Sequence, residues 1–287
     1  MKRLLLSVAL AASSLAPLAC DLEKTGNQLA ADHVMVGTLL ATPQVDISAS
    51  AMAGYDAGTF GPDGGDVISL PAQTAAVVFL GTRSGENSQP SGVAGASVTV
   101  QPTGGQATSL TEDGAGSYSR TSVGEEDFKY QSGATYQFIA SQGGTRFVGE
   151  VENAPVKETI AAFHPPEGFV RIDSKTELAF DRAAVPAGQD RTLGFVTVVP
   201  LSADGSQGKP TYTNVPQTPV QFLQLVGLPG PYRETRVAIP GTAFPDANKT
   251  YLVIFQAVRL GGAESDNLFI GSALLAGTAE VGVIRTR

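Results

Sequence analysis

Short apolar runs, each halted within a few residues by Gly, Pro, Asp or Asn, recur along this chain and restrict its fold more than any other feature. TAAVVFL (74–80), ASVTVQ (96–101) and TYQFIAS (135–141) are such runs, and TGG, EDGAG and QGG are among the stops between them. Runs of this length, rich in β-branched and aromatic residues, form strands, and the turn residues reverse the backbone. In TYQFIAS, Tyr136, Phe138 and Ala140 point one way and Gln137, Ile139 and Ser141 the other, the two-residue alternation of a sheet. Strands are expected at about 74–80, 96–101, 107–111, 117–122, 135–141 and 145–151. A second series is expected at 176–180, 192–199, 220–226, 234–239, 250–259 and 268–275. Short strands at such spacing, with no helical periodicity, predict an all-β sandwich.

Composition agrees. The chain has 33 Gly and 18 Pro in 287 residues, and 16% of its residues are charged, against about 25% in ordinary soluble domains. With 42% hydrophobic residues it has the material for a core and is no disordered tail. Its length gives room for two domains of ordinary size.

An internal repeat supports a twofold organisation. GASVTVQP (95–102) is answered by GFVTVVP (194–200), GSYSRT (116–121) by GPYRET (230–235), and GATYQFI (133–139) by NKTYLVI (248–254). The three matches keep their order, as tandem copies of one fold would. The alternative is one large β-domain that reuses the same strand-and-turn grammar. A boundary is expected near FHPPEG (163–168), because a proline pair cannot join a sheet interior. The second copy carries a loop-like insertion at about 201–217.

SGATYQFIA and ANKTYLVIFQAV are similar to the strand-F region of fibronectin type III and other immunoglobulin-like domains. The resemblance implies two tandem immunoglobulin-like β-sandwiches, at 34–162 (with an N-terminal extension) and 163–287. It also implies that Tyr136 and Tyr251 are tyrosine corners, each hydroxyl bonded back to nearby backbone. GASVTVQP…LTEDGAGSY also resembles transthyretin-like modules of the carboxypeptidase-regulatory type, which share the sandwich. The chain has no tryptophan, a departure from the fibronectin pattern.

The N-terminus reads as an address. Lys2 and Arg3 precede an apolar stretch from Leu4 to Leu15, the layout of an export signal and too short to span the ~30 Å hydrocarbon core. Cys20 is the sole cysteine, and Leu18-Ala19-Cys20 resembles the end of a bacterial lipobox. That resemblance implies cleavage before Cys20, acylation of its thiol, a signal peptide at 1–19 and a polar tether at 20–33. The rival cut after Ala16 places Pro17 first in the product, where its fixed φ and missing N–H suit an extended protease groove poorly. A secreted protein with a spare thiol is the competing reading. The expected location is the cell envelope, lipid-anchored to an inner or outer membrane.

Chemistry is sparse. The net charge is −8 and the 19 Lys and Arg are scattered, which argues against nucleic-acid binding. The two histidines, His33 and His164, lie near the tether and the expected link, outside any triad or metal motif. Asp63 and Asp66 in GPDGGD, Glu112 and Asp113 in TEDG, and Glu125, Glu126 and Asp127 are the carboxylate clusters. They lack the ligand rhythm of a calcium loop and read as Asx-type or solvated turns. No catalytic residue, metal or cofactor is expected. Tyr55, Phe60, Tyr212 and Tyr232 lie in loop-like text and are candidate binding aromatics; packing of a loop over the sandwich is the competing explanation. The expected function is a membrane-anchored envelope lipoprotein with a binding or structural role. Its partners are the bilayer, through the acylated terminus, and an envelope protein, polysaccharide or matrix. A carboxylate-based carbohydrate-active or other envelope hydrolase is the alternative.

Overall fold

The computed structural model describes residues 23–52, 67–84, 89–124, 128–185, 190–227 and 230–287. It begins with a helix at residues 23–30 (α1). Eleven strands follow: β1 (His33–Thr42), β2 (Val45–Ser48), β3 (Val67–Leu70), β4 (Gln73–Thr82), β5 (Ser91–Gly92), β6 (Ser97–Pro102), β7 (Thr108–Ser109), β8 (Thr111–Gly114), β9 (Ser117–Val123), β10 (Tyr136–Gln142) and β11 (Thr145–Val151). Beyond a connector come β12 (Val170–Ile172), β13 (Leu178–Asp181), β14 (Leu193–Leu201), β15 (Tyr212–Thr213), α2 (Pro219–Gly227), β16 (Arg236–Ile239), β17 (Thr250–Ala263) and β18 (Ala273–Thr286). The protein is all-β in character, as the strand pattern predicts.

One pairing scheme occurs twice. In the first half β4 pairs with β9, β6 with β7 and β10, and β10 with β11. In the second half β13 pairs with β16, β14 with β15 and β17, and β17 with β18. Even the register agrees, since Tyr136 stands opposite Pro102 and Tyr251 opposite Pro200. Two of the three sequence matches thus mark equivalent strands. The third does not, because Tyr118 lies within β9 whereas Tyr232 sits in a 3-10 turn at Gly230–Arg233.

The two halves share strands. β17 and β18 are each 14 residues long. The N-terminal part of β17 pairs with β14, while Gly262 and Ala263 at its end pair with β11. The N-terminal part of β18 pairs in parallel with β1, which continues into β4. A single sheet therefore runs β7-β6-β10-β11-β17-β18-β1-β4-β9-β8, across the boundary expected at 163–168. It folds over a core that includes Met35, Val78, Val100, Tyr118, Phe138 and, from the C-terminal hairpin, Leu268, Leu274 and Ala276. At the crossing, a Cβ on Gly261 would overlap the Glu150 carbonyl, so only glycine lets β17 lie against β11 there.

In the second half the β14–β17–β18 sheet is covered on both faces. Tyr251, Val253 and Phe255 pack beneath β13 and β16, whereas Leu252 meets the β2–β3 hairpin and Val258 meets Leu225 of α2. Burial on both faces explains why TYLVIF is apolar throughout while TYQFIAS alternates.

Three expectations need correction. Residues 220–226 form α2 and no strand. The strand expected at 268–275 begins at Ala273 and runs to Thr286. The stretch expected as a tether is helical from residue 23 and docked on the body. The buried Gln28 side chain donates to the Ala263 and Ser265 carbonyls (3.2 and 3.3 Å), and Lys24 pairs with Glu264 at 3.0 Å.

Candidate functional site

The second half carries an open groove of about 450 Å³ between β15, α2 and the turn bearing Tyr232. Its construction starts at the N-terminus of α2. Thr218 Oγ1 accepts the Gln221 N–H (3.3 Å), and Gln221 Oε1 accepts the Thr218 N–H (3.1 Å). Such a reciprocal pair satisfies donors that a helix start leaves open. Pro219 follows as the first helical residue, where its missing N–H costs nothing. Leu225, buried, holds the helix to the core. Gln221 and Gln224, three residues apart, face the groove together, as that spacing allows.

Asn214 and Tyr232 supply the other walls. Asn214 Oδ1 accepts the Val196 N–H at 2.6 Å. The Tyr232 ring packs against Phe195 with centroids 4.9 Å apart, and its carbonyl accepts from Arg182 Nη1 at 3.3 Å. Arg182 is buried and makes a two-pronged pair with Glu158 (3.0 and 2.9 Å), while its Nη2 also donates to Thr192 Oγ1 at 2.7 Å. Such a fork fixes direction as well as charge, so the turn bearing Tyr232 rests on a rigid base.

None of the described lining residues is charged. The Asn214 Nδ2, the Gln221 Nε2 and the whole Gln224 amide have no hydrogen-bond partner among the described residues. Amides donate and accept, and a phenol adds an apolar face with a polar tip. The groove therefore suits an uncharged, hydroxyl-rich ligand.

Of the candidate aromatics, Tyr232 lines this groove. Tyr212 lies beneath it in β15 and packs partly on the core; burial, with Tyr232 nearby, pushes its phenol above the ordinary range. Tyr55 and Phe60 fall outside the described residues, as do Cys20, Asp63, Asp66 and Glu125–Asp127. Tyr136 Oη accepts the Gln131 N–H at 2.7 Å and Tyr251 Oη the Asp246 N–H at 3.3 Å. Both bonds reach five residues back. Glu112 accepts the Gly95 N–H at 2.9 Å, and Asp113 lies exposed in β8.

Elsewhere Glu280 of β18 is buried with one oxygen on Lys157 Nζ at 2.6 Å and the other accepting from His164 Nε2. His164 is thus no bare link residue. The charge pair ties the connector between β11 and β12 to the C-terminal strand. A cavity of about 280 Å³ beside it also includes Asp46, whose carboxyl is lowered by hydrogen bonds from Ser69 and Gln44. A larger crevice of about 870 Å³ lies between the connector at 153–159 and residues 183–185 and 190–192. Its Lys157 and Glu158 are already engaged by Glu280 and Arg182. Among the described residues, no group of three or more His, Cys, Asp or Glu could hold a metal ion, and no helix is long and apolar enough to cross a membrane.

These features define an all-β protein with an uncharged surface groove. No protein-family model matches the chain, and no curated protein is significantly similar to it.

Proposed function

We propose that this is a lipid-anchored envelope protein that binds a neutral polysaccharide through the groove between β15 and α2. The immunoglobulin-like reading of each half and acylation of Cys20 are parts of the same proposal. The observation that carries it is the convergence of Asn214, Gln221, Gln224 and Tyr232 on one uncharged groove. A sugar offers vicinal hydroxyls to the amides and a C–H face to the phenol ring. A charged ligand would find no counter-ion there.

The hydrolase alternative needs one carboxyl held protonated as an acid. Asp46 and Glu280 share a cavity, yet the Asp46 carboxyl is shifted the opposite way and the two Glu280 oxygens are engaged by Lys157 and His164. Binding without turnover is the better supported reading.

Titration calorimetry with N-acetylchito-, cello- and malto-hexaose tests it. One of these is expected to bind, and Gln224→Ala and Tyr232→Ala are each expected to weaken it about tenfold, equivalent to about 1.4 kcal/mol. Gln224→Ala is expected to leave the thermal midpoint unchanged, since its side chain is exposed. Equal binding by both variants and the parent would remove the groove from the proposal.

A further inference from the structure

We propose that the end of the molecule carrying α1 and the β17–β18 turn is a second, direct contact with the lipid bilayer, with Leu29 and Ile270 as the inserting side chains. The inference rests on the reading of Cys20 as acylated, and it concerns what the body does once anchored.

Chain geometry places this end at the membrane. Cys20 precedes α1 by three residues, which span at most about 10 Å. Leu29 lies six residues into α1, about 9 Å further along its axis. The helix is fixed to the body at Gln28 and Lys24, so chain length alone limits how far Cys20 can lie from it. Acyl chains on Cys20 would hold Leu29 within about 20 Å of their own point of entry.

The same end exposes apolar surface. Leu29 is 58% exposed and Ile270 38%. The Ile270 N–H donates to the Gln28 carbonyl at 3.1 Å, which brings the backbone of the β17–β18 turn against α1 next to Leu29. Beside them the Arg83 guanidinium lies 3.4 Å from the Phe269 ring centroid, an amphipathic pair suited to a headgroup region. The exposed Val123 ends β9 opposite Gln73, at the far end of β4 from Thr82, which pairs with His33 beside α1.

Charge does not carry the contact. Lys24, Arg83 and Arg146 in these segments are balanced by the acids Glu23, Asp32, Glu264 and Asp266, and Lys24 is already paired with Glu264. Attraction is therefore apolar, and the contact is expected to be insensitive to salt, unlike binding by a basic patch.

The absence of tryptophan allows a clean test with the full acylated protein. Leu29→Trp, Ile270→Trp and, as a control, Val123→Trp are reconstituted in phosphatidylethanolamine–phosphatidylglycerol vesicles with or without brominated acyl chains. Emission from positions 29 and 270 is expected to shift to the blue and to fall at least twofold with brominated lipid, equally at low and high salt. Position 123 is expected to stay unquenched. Quenching at 29 and 270 no greater than at 123 overturns the contact, even where the protein floats with vesicles and the anchor stands. Flotation of Cys20→Ser equal to the parent, with quenching kept, overturns the anchor and leaves the contact. Failure of the parent to float overturns both.

Discussion

Tyr136 and Tyr251 occupy the same register in the two halves, and each hydroxyl receives a backbone N–H from five residues upstream. Removing such an acceptor strands a donor in a partly buried loop, at a cost of about 1–3 kcal/mol. Tyr136→Phe is expected to lower the urea midpoint without changing the slope, and Tyr251→Phe to do so less, because its bond is 3.3 Å against 2.7 Å. A changed slope would mean an altered unfolded or native ensemble instead. Burial raises both phenols above their ordinary value of 10.0, so the folded state favours the protonated form. That stability is present below pH 10 and is lost as pH rises beyond it. Tyr136→Phe is therefore expected to flatten the alkaline fall, read from midpoints between pH 8 and 11. Both tyrosines are legible from T-Y-x-x-I alone, since the motif is local. The His164–Glu280 bond is not, because the partners lie 116 residues apart and no local pattern signals either one.

At the scale of elements, strands read well and helices poorly, for a physical reason. QFLQLV (221–226) is a short apolar run with one β-branched residue, and periodicity cannot separate strand from helix at that length. The discriminating signal stands just before it. TPVQ (218–221) places Thr as cap, Pro first in the helix and Gln three residues after the cap. α1 is harder to see, because its docked face presents an amide rather than an apolar stripe. If the capping pair holds α2 in place, Thr218→Ala should cost about 1 kcal/mol locally. Amide protons of Phe222, Gln224 and Leu225 are then expected to exchange about fivefold faster, while Thr218→Ser restores the parent rate. Unchanged exchange would assign the helix to packing alone. The groove depends on this element, since Gln221 both caps the helix and faces the ligand side.

At the scale of the molecule, two copies of one pairing scheme are joined through shared strands rather than set side by side. Residues 23–162 contain the first copy, yet its core includes Leu268, Leu274 and Ala276, and β1 and β11 pair with strands beyond residue 162. Leu268 and Leu274 are fully buried, and each contributes about 1.5–3 kcal/mol against a total stability of about 5–15 kcal/mol for an ordinary protein. Loss of both removes about 3–6 kcal/mol, a large share of that total, and leaves two strand edges open. The fragment 23–162 expressed alone is therefore expected to lack a dispersed amide spectrum and to aggregate. Co-expression with 163–287 is expected to restore a single cooperative unfolding transition. The sequence repeat points to two separable sandwiches because the matches lie in strands that pair within each half. The sharing is invisible there, since β17 and β18 betray it only by their 14-residue length and by a glycine at the crossing that a contact map alone explains. A native, dispersed spectrum from 23–162 on its own would show that the hairpin merely covers the first half, and that the two copies fold independently.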